Sequence, residues 1–396
     1  MRSSESAPNA VIRIGYLLAF FLPIITRYRQ LYLPCLICFF TVGTYGFAYS
    51  YFPYMMWVYV LITLIALAFT AENIIHIRCS PLVIFVILYI CLINLLDSGK
   101  IQDIGYSALI ISMSSLVAGN NIKVNKLLLL NTFAIISITL SLIYLLNYQY
   151  FIETYNIVDD VQRAGWTDHN YLSCIIGMGA ISSLVQLMTS NHRKKNIKIF
   201  WIAVIAVSFL VQLMMASRGG LLATIVSAVV ILFYSNLKIK YKFLCAILAF
   251  VFCLLLYFNS FFDLLLYRIQ NDTDGSGRLP IWSDKLVAFG SDCNIFQWLF
   301  GTGYEASIKL GTVGRGVGFH NDFLAILCNY GILGLFVFIY LLIIYPIKSI
   351  TNNSKPIVLP LISFLTLACM TLEPISAGRV TYITFLYLII LCAKDK

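Results

Sequence analysis

The sequence predicts an all-α membrane protein, a polytopic helical bundle of about twelve transmembrane helices within one integral membrane domain, residues 1–396. Of its residues, 60% are hydrophobic and only 11% are charged, and the mean hydropathy is +0.88. A soluble domain of this length would then have a largely apolar surface. Apolar runs recur along the chain with short polar clusters between them. Because these runs are continuous rather than alternating, they do not fit a transmembrane β-barrel.

The apolar segments follow one another near residues 11–26, 31–50, 54–71, 81–96, 104–119, 127–146, 171–189, 199–216, 220–235, 243–261, 322–345, 357–372 and 380–393. A straight transmembrane helix needs about 20 residues, so the boundaries of the shorter segments are soft. Arg13 and Pro23 interrupt the first segment, which either lies along the membrane or adds a thirteenth crossing.

Lysine and arginine fall mainly on alternate connections between these segments. One set of connections holds sixteen of them, whereas the short loops of the opposite set hold only Lys100, Arg163, Arg218 and Arg379. Because cytoplasmic loops carry the excess of basic residues, the first set is predicted to be cytoplasmic. The loops at 147–170 and about 262–321 then face the outside. The net charge of +10 forms no basic stripe, so nucleic acid is not an expected partner.

Four arginines lie in separate connections on this predicted outer face: Arg163, Arg218, Arg278 and Arg379. Arginine is costly near hydrocarbon, and its planar guanidinium group binds phosphate oxygens bidentately. Arginines near helix starts, whose N–H groups also favour anions, predict a site for a diphosphate. The alternative is that each arginine anchors its helix at the interface or pairs with an outer acid such as Asp160, Asp263 or Glu373.

His320 begins an apolar segment, after a glycine-rich run at 311–318 and before Asn321 and Asp322. A neutral imidazole at the membrane surface can accept the proton of an attacking hydroxyl group. The alternative is a capping cluster, in which Asn321 or Asp322 caps the helix and His320 has no chemical role. The residues alone leave both interpretations open.

Other functional classes are less well supported. The stretch from Asp272 to Gly277 resembles the start of a calcium loop, but Ser283 stands where that loop needs glutamate, so we expect a polar turn and no metal. The predicted spans contain almost no Asp, Glu or His, which coupled transporters use near mid-membrane, so a transporter or flippase is the weaker alternative. Motifs of ATPases, zinc proteases and serine hydrolases are missing from the sequence, and no cofactor is predicted.

Several short motifs occur in a fixed order on the predicted outer face. They are Arg163-Ala164-Gly165 with Asn170, Ser217-Arg218-Gly219-Gly220, Gly277-Arg278 with Trp282, Phe300-Gly301-Thr302-Gly303, His320-Asn321-Asp322-Phe323-Leu324 and Tyr330-Gly331-Ile332-Leu333-Gly334-Leu335. In this order they resemble the bacterial O-antigen ligase/polymerase superfamily. The resemblance runs from about residue 163 to the C-terminus, and the first spans match in character only.

The resemblance implies a metal-independent, inverting glycosyltransferase of the bacterial inner membrane, with its active site facing the periplasm. The donor would be an oligosaccharide linked to undecaprenyl diphosphate. The acceptor glycan, membrane lipid and a chain-length regulator are the other expected partners. Residues 262–321 would form a periplasmic catalytic loop and residues 147–170 a second periplasmic loop.

Residue roles follow from the same resemblance. Arg218 and Arg278 would hold the diphosphate, and His320 would act as the general base. The expected substrate-binding residues are Arg163, Asn170, Trp282, Asn321, Asp322 and Arg379. The compact motif from His320 to Leu324 favours a polymerase of O-antigen repeat units, in surface polysaccharide biosynthesis. A ligase that transfers the glycan to lipid A-core is the alternative.

Overall fold

The computed structural model describes residues 28–46, 81–98, 125–146, 169–189, 195–235, 237–271, 277–303, 306–313, 316–351 and 354–373. Every regular element within these ranges is helical, which confirms the all-α class for this part of the chain. The predicted segments 11–26, 54–71, 104–119 and 380–393 lie outside the described residues. Each of the remaining predicted segments corresponds to a helix.

The described residues contain fourteen α-helices, numbered in chain order. They are α1 Tyr32–Gly46, α2 Pro81–Ser98, α3 Lys126–Leu146, α4 His169–Thr189, α5 Lys195–Met214, α6 Arg218–Tyr234, α7 Ile239–Phe258, α8 Asp263–Asn271, α9 Arg278–Asp292, α10 Ile295–Phe300, α11 Ala306–Lys309, α12 Asp322–Ile339, α13 Tyr345–Lys348 and α14 Lys355–Thr371. A π-helical turn, Tyr340–Ile344, joins α12 directly to α13.

Five helical stretches in the described residues are long and apolar enough to cross a membrane: α3, α4, α5, α7 and the continuous stretch from α12 to α13. Three shorter apolar helical stretches, of ten to seventeen residues, also occur in the described residues: a part of α2, the whole of α6 and the whole of α14. The predicted total of about twelve crossings, and the predicted sidedness of the connections, remain predictions.

Helix α4 forms the centre of the bundle. It is buried over most of its length and packs against α3, α5, α6 and α14. Small residues allow this close packing, since a Cβ atom at Gly179 would overlap Ser137 and the main chain of Phe133 in α3. Between membrane helices, close backbone approach and side-chain hydrogen bonds supply the association energy that the hydrophobic effect provides in water.

Buried polar side chains join α4 to its neighbours. Ser137 of α3 donates a hydrogen bond to the Ile176 carbonyl oxygen over 2.8 Å. From α5, the Gln212 side-chain amide donates to the Ser173 carbonyl oxygen over 2.9 Å and to the Thr224 hydroxyl oxygen of α6 over 3.0 Å. These bonds fix the mutual register of α3, α4, α5 and α6, because a polar group left unpaired in an apolar core is costly.

Within the predicted apolar segment 322–345, α12 is broken at Gly331, where φ is 64° and ψ is −170°. The segment Gly301–Gly303 lies against this break. The Thr302 and Gly303 N–H groups donate to the carbonyl oxygens of Cys328 and Asn329 over 3.2 and 3.0 Å. Carbonyl groups that the break removes from the helical ladder are thereby paired. Part of the predicted outer loop thus runs alongside α12, roughly 13 Å from the start of that helix.

Candidate functional site

The C-terminal end of α14 is where the predicted catalytic residues come together. We call residues 371–373 the junction. Three elements that carry predicted site residues contact it: the start of α6, the start of α9 and the segment that leads into α12. Two of these helices begin at a predicted site arginine, and the third begins two residues after His320.

Arg218 is the first residue of α6. The chain reaches it through a tight turn in which Ala216 has a φ of 48° and Ser217 is fully buried. The next residue, Gly219, lies directly against the junction, because a Cβ atom there would be 2.6 Å from the Thr371 hydroxyl oxygen and 2.8 Å from its Cβ. Any larger residue would force the start of α6 away from α14. The Arg218 side chain is half-buried at this helix end.

Arg278 is the first residue of α9 and follows Gly277, which has a φ of 74°. Its Nη1 donates a hydrogen bond to the Thr371 carbonyl oxygen over 2.7 Å. That carbonyl belongs to the last turn of α14, where main-chain oxygens lack helical partners. The contact uses one of the five N–H donors of the guanidinium group and fixes the arginine beside the start of α6.

The main chain at His320 has a φ of 53°, which is unusual for a residue other than glycine. Its N–H group donates to Oε1 of Glu373 over 2.9 Å. The N–H of Phe319 also hydrogen-bonds the Glu373 carboxylate. At Gly318 a Cβ atom would overlap that carboxylate, so the segment 318–320 lies directly on Glu373. The left-handed conformation of His320 is therefore held by an acid from another element.

Glu373 is only 6% exposed. Burial, together with the nearby charge of Asp322, raises the pKa of its carboxyl group to about 7, while the two main-chain N–H donors and Lys285 act in the opposite direction. Burial disfavours the ionised carboxylate, and hydrogen bonds and positive charge favour it. Glu373 can thus change its protonation state near neutral pH.

Asn321 and Asp322 have defined places at the start of α12. The Asn321 side-chain oxygen accepts the N–H groups of Phe323 and Leu324, over 3.0 and 3.3 Å, so Asn321 is the capping residue. Asp322 is fully buried. The contacts of both residues support a role in shaping the helix start, and direct substrate binding by either one remains a prediction.

Two further predicted binding residues lie near this end of the bundle. The Trp282 indole N–H donates to the Phe319 carbonyl oxygen, beside His320. Asn170, in the first turn of α4, accepts a 3.2 Å hydrogen bond from the Ser217 hydroxyl group, beside Arg218. Trp282 therefore holds the main chain next to His320, and Asn170 holds the side chain next to Arg218. Arg163, Arg379 and the stretch 272–276 lie outside the described residues.

Sequence reasoning missed the parts played by Thr371, Glu373 and Lys285. It treated Glu373 only as an acid with which an outer arginine could pair, and it gave the other two no role. A signal was available for Glu373, since it follows an apolar segment on the same predicted face as His320. No such signal marks Thr371, because its carbonyl oxygen, a group common to every residue, accepts the Arg278 hydrogen bond.

The described residues thus form an all-helical membrane protein with two arginines and a histidine around one helix end. Residues 202–339, from α5 to the end of α12, match the family model for O-antigen ligase. The match supports the O-antigen ligase/polymerase superfamily, which the sequence motifs resemble. The matched segment contains Arg218, Arg278 and His320, whereas Glu373 lies beyond it. No match was found among curated proteins.

Proposed function

We propose that the protein transfers a glycan from undecaprenyl diphosphate to an acceptor sugar, at the periplasmic face of the bacterial inner membrane and without a metal. The observation that carries the proposal is the contact of the α6 start, Arg278 and the His320 main chain with residues 371–373. The match of residues 202–339 to O-antigen ligase supports the same class of reaction.

In this reaction Arg218 and Arg278 bind the diphosphate. Guanidinium groups match phosphate oxygens in geometry and charge, and the starts of α6 and α9 add main-chain N–H groups that favour an anion. In neither helix does the capping residue provide a side-chain hydrogen bond to these N–H groups. The same groups stabilise the negative charge that develops as undecaprenyl diphosphate leaves.

His320 accepts the proton of the acceptor hydroxyl group as its oxygen attacks the anomeric carbon. The bond between that carbon and the diphosphate oxygen breaks on the opposite face, so the anomeric configuration inverts. The products are a glycan with one new glycosidic bond and free undecaprenyl diphosphate. Glu373 takes no proton from substrate in this scheme, and its carboxylate holds the His320 main chain in place.

The acceptor distinguishes the two forms of the proposal. A polymerase adds the glycan to another lipid-linked repeat unit, as the sequence motifs favour, whereas a ligase adds it to lipid A-core, the form favoured by the matched family's description. A gel of surface lipopolysaccharide from a deletion strain separates them. A single repeat unit on core indicates a lost polymerase, and bare core with accumulated lipid-linked polymer indicates a lost ligase.

The residue roles are tested by complementing that strain with Arg218→Ala, Arg278→Ala and His320→Ala. Each variant should abolish the long glycan chains while the protein remains at wild-type level in the membrane fraction. Arg218→Lys and Arg278→Lys should restore little, because lysine cannot bind phosphate bidentately. Lys348→Ala, at the other end of the α12–α13 stretch, is the matched control and should support normal chains. Normal chains from all three alanine variants would remove the proposal.

A further inference from the structure

Lys285 of α9 is a buried cation in the segment that precedes the bundle helix α12. Its side chain is 0% exposed. The ammonium group donates to the Val317 carbonyl oxygen and lies 5.4 Å from the centroid of the Phe319 ring. An ammonium group is costly to remove from water unless it is paired, so an apolar residue would occupy this position at lower cost. The location of the charge therefore calls for an explanation.

Helix α9 holds the glycine-rich run before His320 at both ends. Near the start of the run, the Asp284 carboxylate accepts the N–H groups of Thr312 and Val313 over 2.6 and 2.9 Å. Near the end of the run, Lys285 donates to the Val317 carbonyl oxygen and Trp282 donates to the Phe319 carbonyl oxygen. Main-chain groups accept or donate in all of these bonds, so the bonds fix residues 312–313 and 317–319 whatever side chains they carry.

The charged and titratable groups around Lys285 come from three elements. They are Asp284 on its own helix, Cys328 on α12 and Glu373 at the junction. Burial lowers the pKa of the Lys285 ammonium group, and these three neighbours raise it in part. Glu373 in turn faces Asp322, whose charge raises its pKa, and Lys285, whose charge lowers it. Lys285 thus opposes the effect of burial on the carboxylate that holds His320.

We propose that Lys285 is a positioning residue for glycan transfer, which fixes the main chain before His320 through the Val317 carbonyl and supplies the positive charge facing the Glu373 carboxylate. This inference rests on the proposed function, because it assigns a role in the reaction of His320. Lys285 acts through Glu373 and the main chain, and needs no contact with substrate.

The test uses the purified full-length protein in lipid nanodiscs, with the lipid-linked glycan extracted from the deletion strain as donor and as one acceptor, and with lipid A-core supplied as the other acceptor. Release of undecaprenyl diphosphate is measured from pH 5.5 to 9 for the wild type and for Lys285→Met, Lys285→Gln and Lys285→Arg. Methionine removes the charge and the donor, glutamine retains an N–H donor without charge, and arginine retains both. Arg218→Ala serves as the reference for loss of diphosphate binding.

Lys285→Met should lower kcat about tenfold or more and leave the KM for the donor within about threefold of the wild-type value. The midpoint of the acidic limb of the pH profile should rise by about half a pH unit or more, because Glu373 loses a positive neighbour and its pKa increases. Lys285→Gln should show the same shift with a smaller loss of kcat. Lys285→Arg should keep the wild-type midpoint.

Wild-type kcat and midpoint in Lys285→Met would overturn the inference, and so would a lower kcat without any shift in either uncharged variant. If Lys285→Met does not accumulate in the membrane, Lys285→Gln and Lys285→Arg are compared instead. Equal kcat values and equal midpoints for these two variants would then overturn the inference. These results are separate from the proposed function. That proposal fails if the wild type releases no undecaprenyl diphosphate or if Arg218→Ala is as active as the wild type.

Discussion

The two arginines of the candidate site are held at Thr371 in different ways. Arg218 begins a bundle helix, and the adjacent Gly219 fixes its place because the α6 main chain is in van der Waals contact with the Thr371 side chain. Arg278 begins a helix outside the bundle core, and a hydrogen bond to the Thr371 carbonyl oxygen fixes its place. The bundle side of the site thus depends on close packing, whereas the loop side depends on polar bonds to main-chain groups.

This difference has energetic consequences. A packed contact between two helices tolerates almost no added volume, since interiors are close to crystalline density. A single hydrogen bond contributes only about 1 kcal/mol net, so the loop side needs several bonds to hold its geometry. Consistent with this, the run at 311–319 is held through Trp282, Asp284, Lys285 and Glu373. Single changes should therefore be severe on the bundle side and graded on the loop side.

The largest effect is expected from Gly219→Val on the bundle side. Its Cβ atom alone would be 2.6 and 2.8 Å from Thr371 atoms, and two more methyl groups would add to the overlap. We expect destabilisation by about 3 kcal/mol or more and loss of glycan products. The measurements are the thermal unfolding midpoint in detergent and the lipopolysaccharide gel.

Gly290→Ala in α9 is the matched control on the loop side. The nearest atom to a Cβ there is 3.9 Å away, on Trp298, so alanine fits and should stabilise the helix by about 0.5–1 kcal/mol. If Gly219→Val melted at the wild-type temperature, close packing would not be what holds Arg218, and the contrast between the two sides would be lost.

Glu373 joins the two sides, and its titration should be visible in the stability of the protein. The pKa of its carboxyl group is raised from 4.5 to about 7, mainly by burial and then by Asp322. Between these values the folded state binds more protons than the unfolded state, so stability should fall as pH rises from about 4.5 to 7 and then level off. The ionisation of Glu373 should lower the free energy of unfolding by an amount on the order of 3 kcal/mol.

Glu373→Gln removes this titration and keeps an oxygen that can accept the His320 N–H. Its unfolding midpoint in detergent should therefore exceed that of the wild type at pH 8, and the difference should shrink toward pH 5. Glu373→Ala, which also removes the acceptor, should be less stable than Glu373→Gln at every pH. Parallel pH dependences for the wild type and Glu373→Gln would show that Glu373 does not titrate in this window.

The sequence predicted the bundle side better than the loop side, for a physical reason. Helices such as α4 and α6 follow from long apolar runs, which the sequence displays directly. The break at Gly331 could not be predicted, because it depends on a distant segment, Gly301–Gly303, that pairs the freed carbonyl groups. The burial of Glu373 likewise depends on main-chain donors 53 residues earlier in the chain. Contacts that involve main-chain groups of separate elements are hard to predict from the sequence, because every residue carries those groups.

The smallest effects are expected at two asparagine caps, one on each side. Asn321 caps the bundle helix α12, and Asn294 caps the six-residue helix α10 through a capping box with Gln297. Loss of an asparagine cap costs about 1 kcal/mol, with a range of about 0.5–2. Asn321→Ala should be near the upper end, because the residue is only 8% exposed and adjoins His320. Asn294→Ala should be near the lower end, since water can replace the lost bond at an exposed position.

Unfolding midpoints in detergent for the two variants test this order. An equal or larger effect of Asn294→Ala would mean that the loop side is as tightly determined as the bundle side, and that its polar bonds act as one cooperative unit.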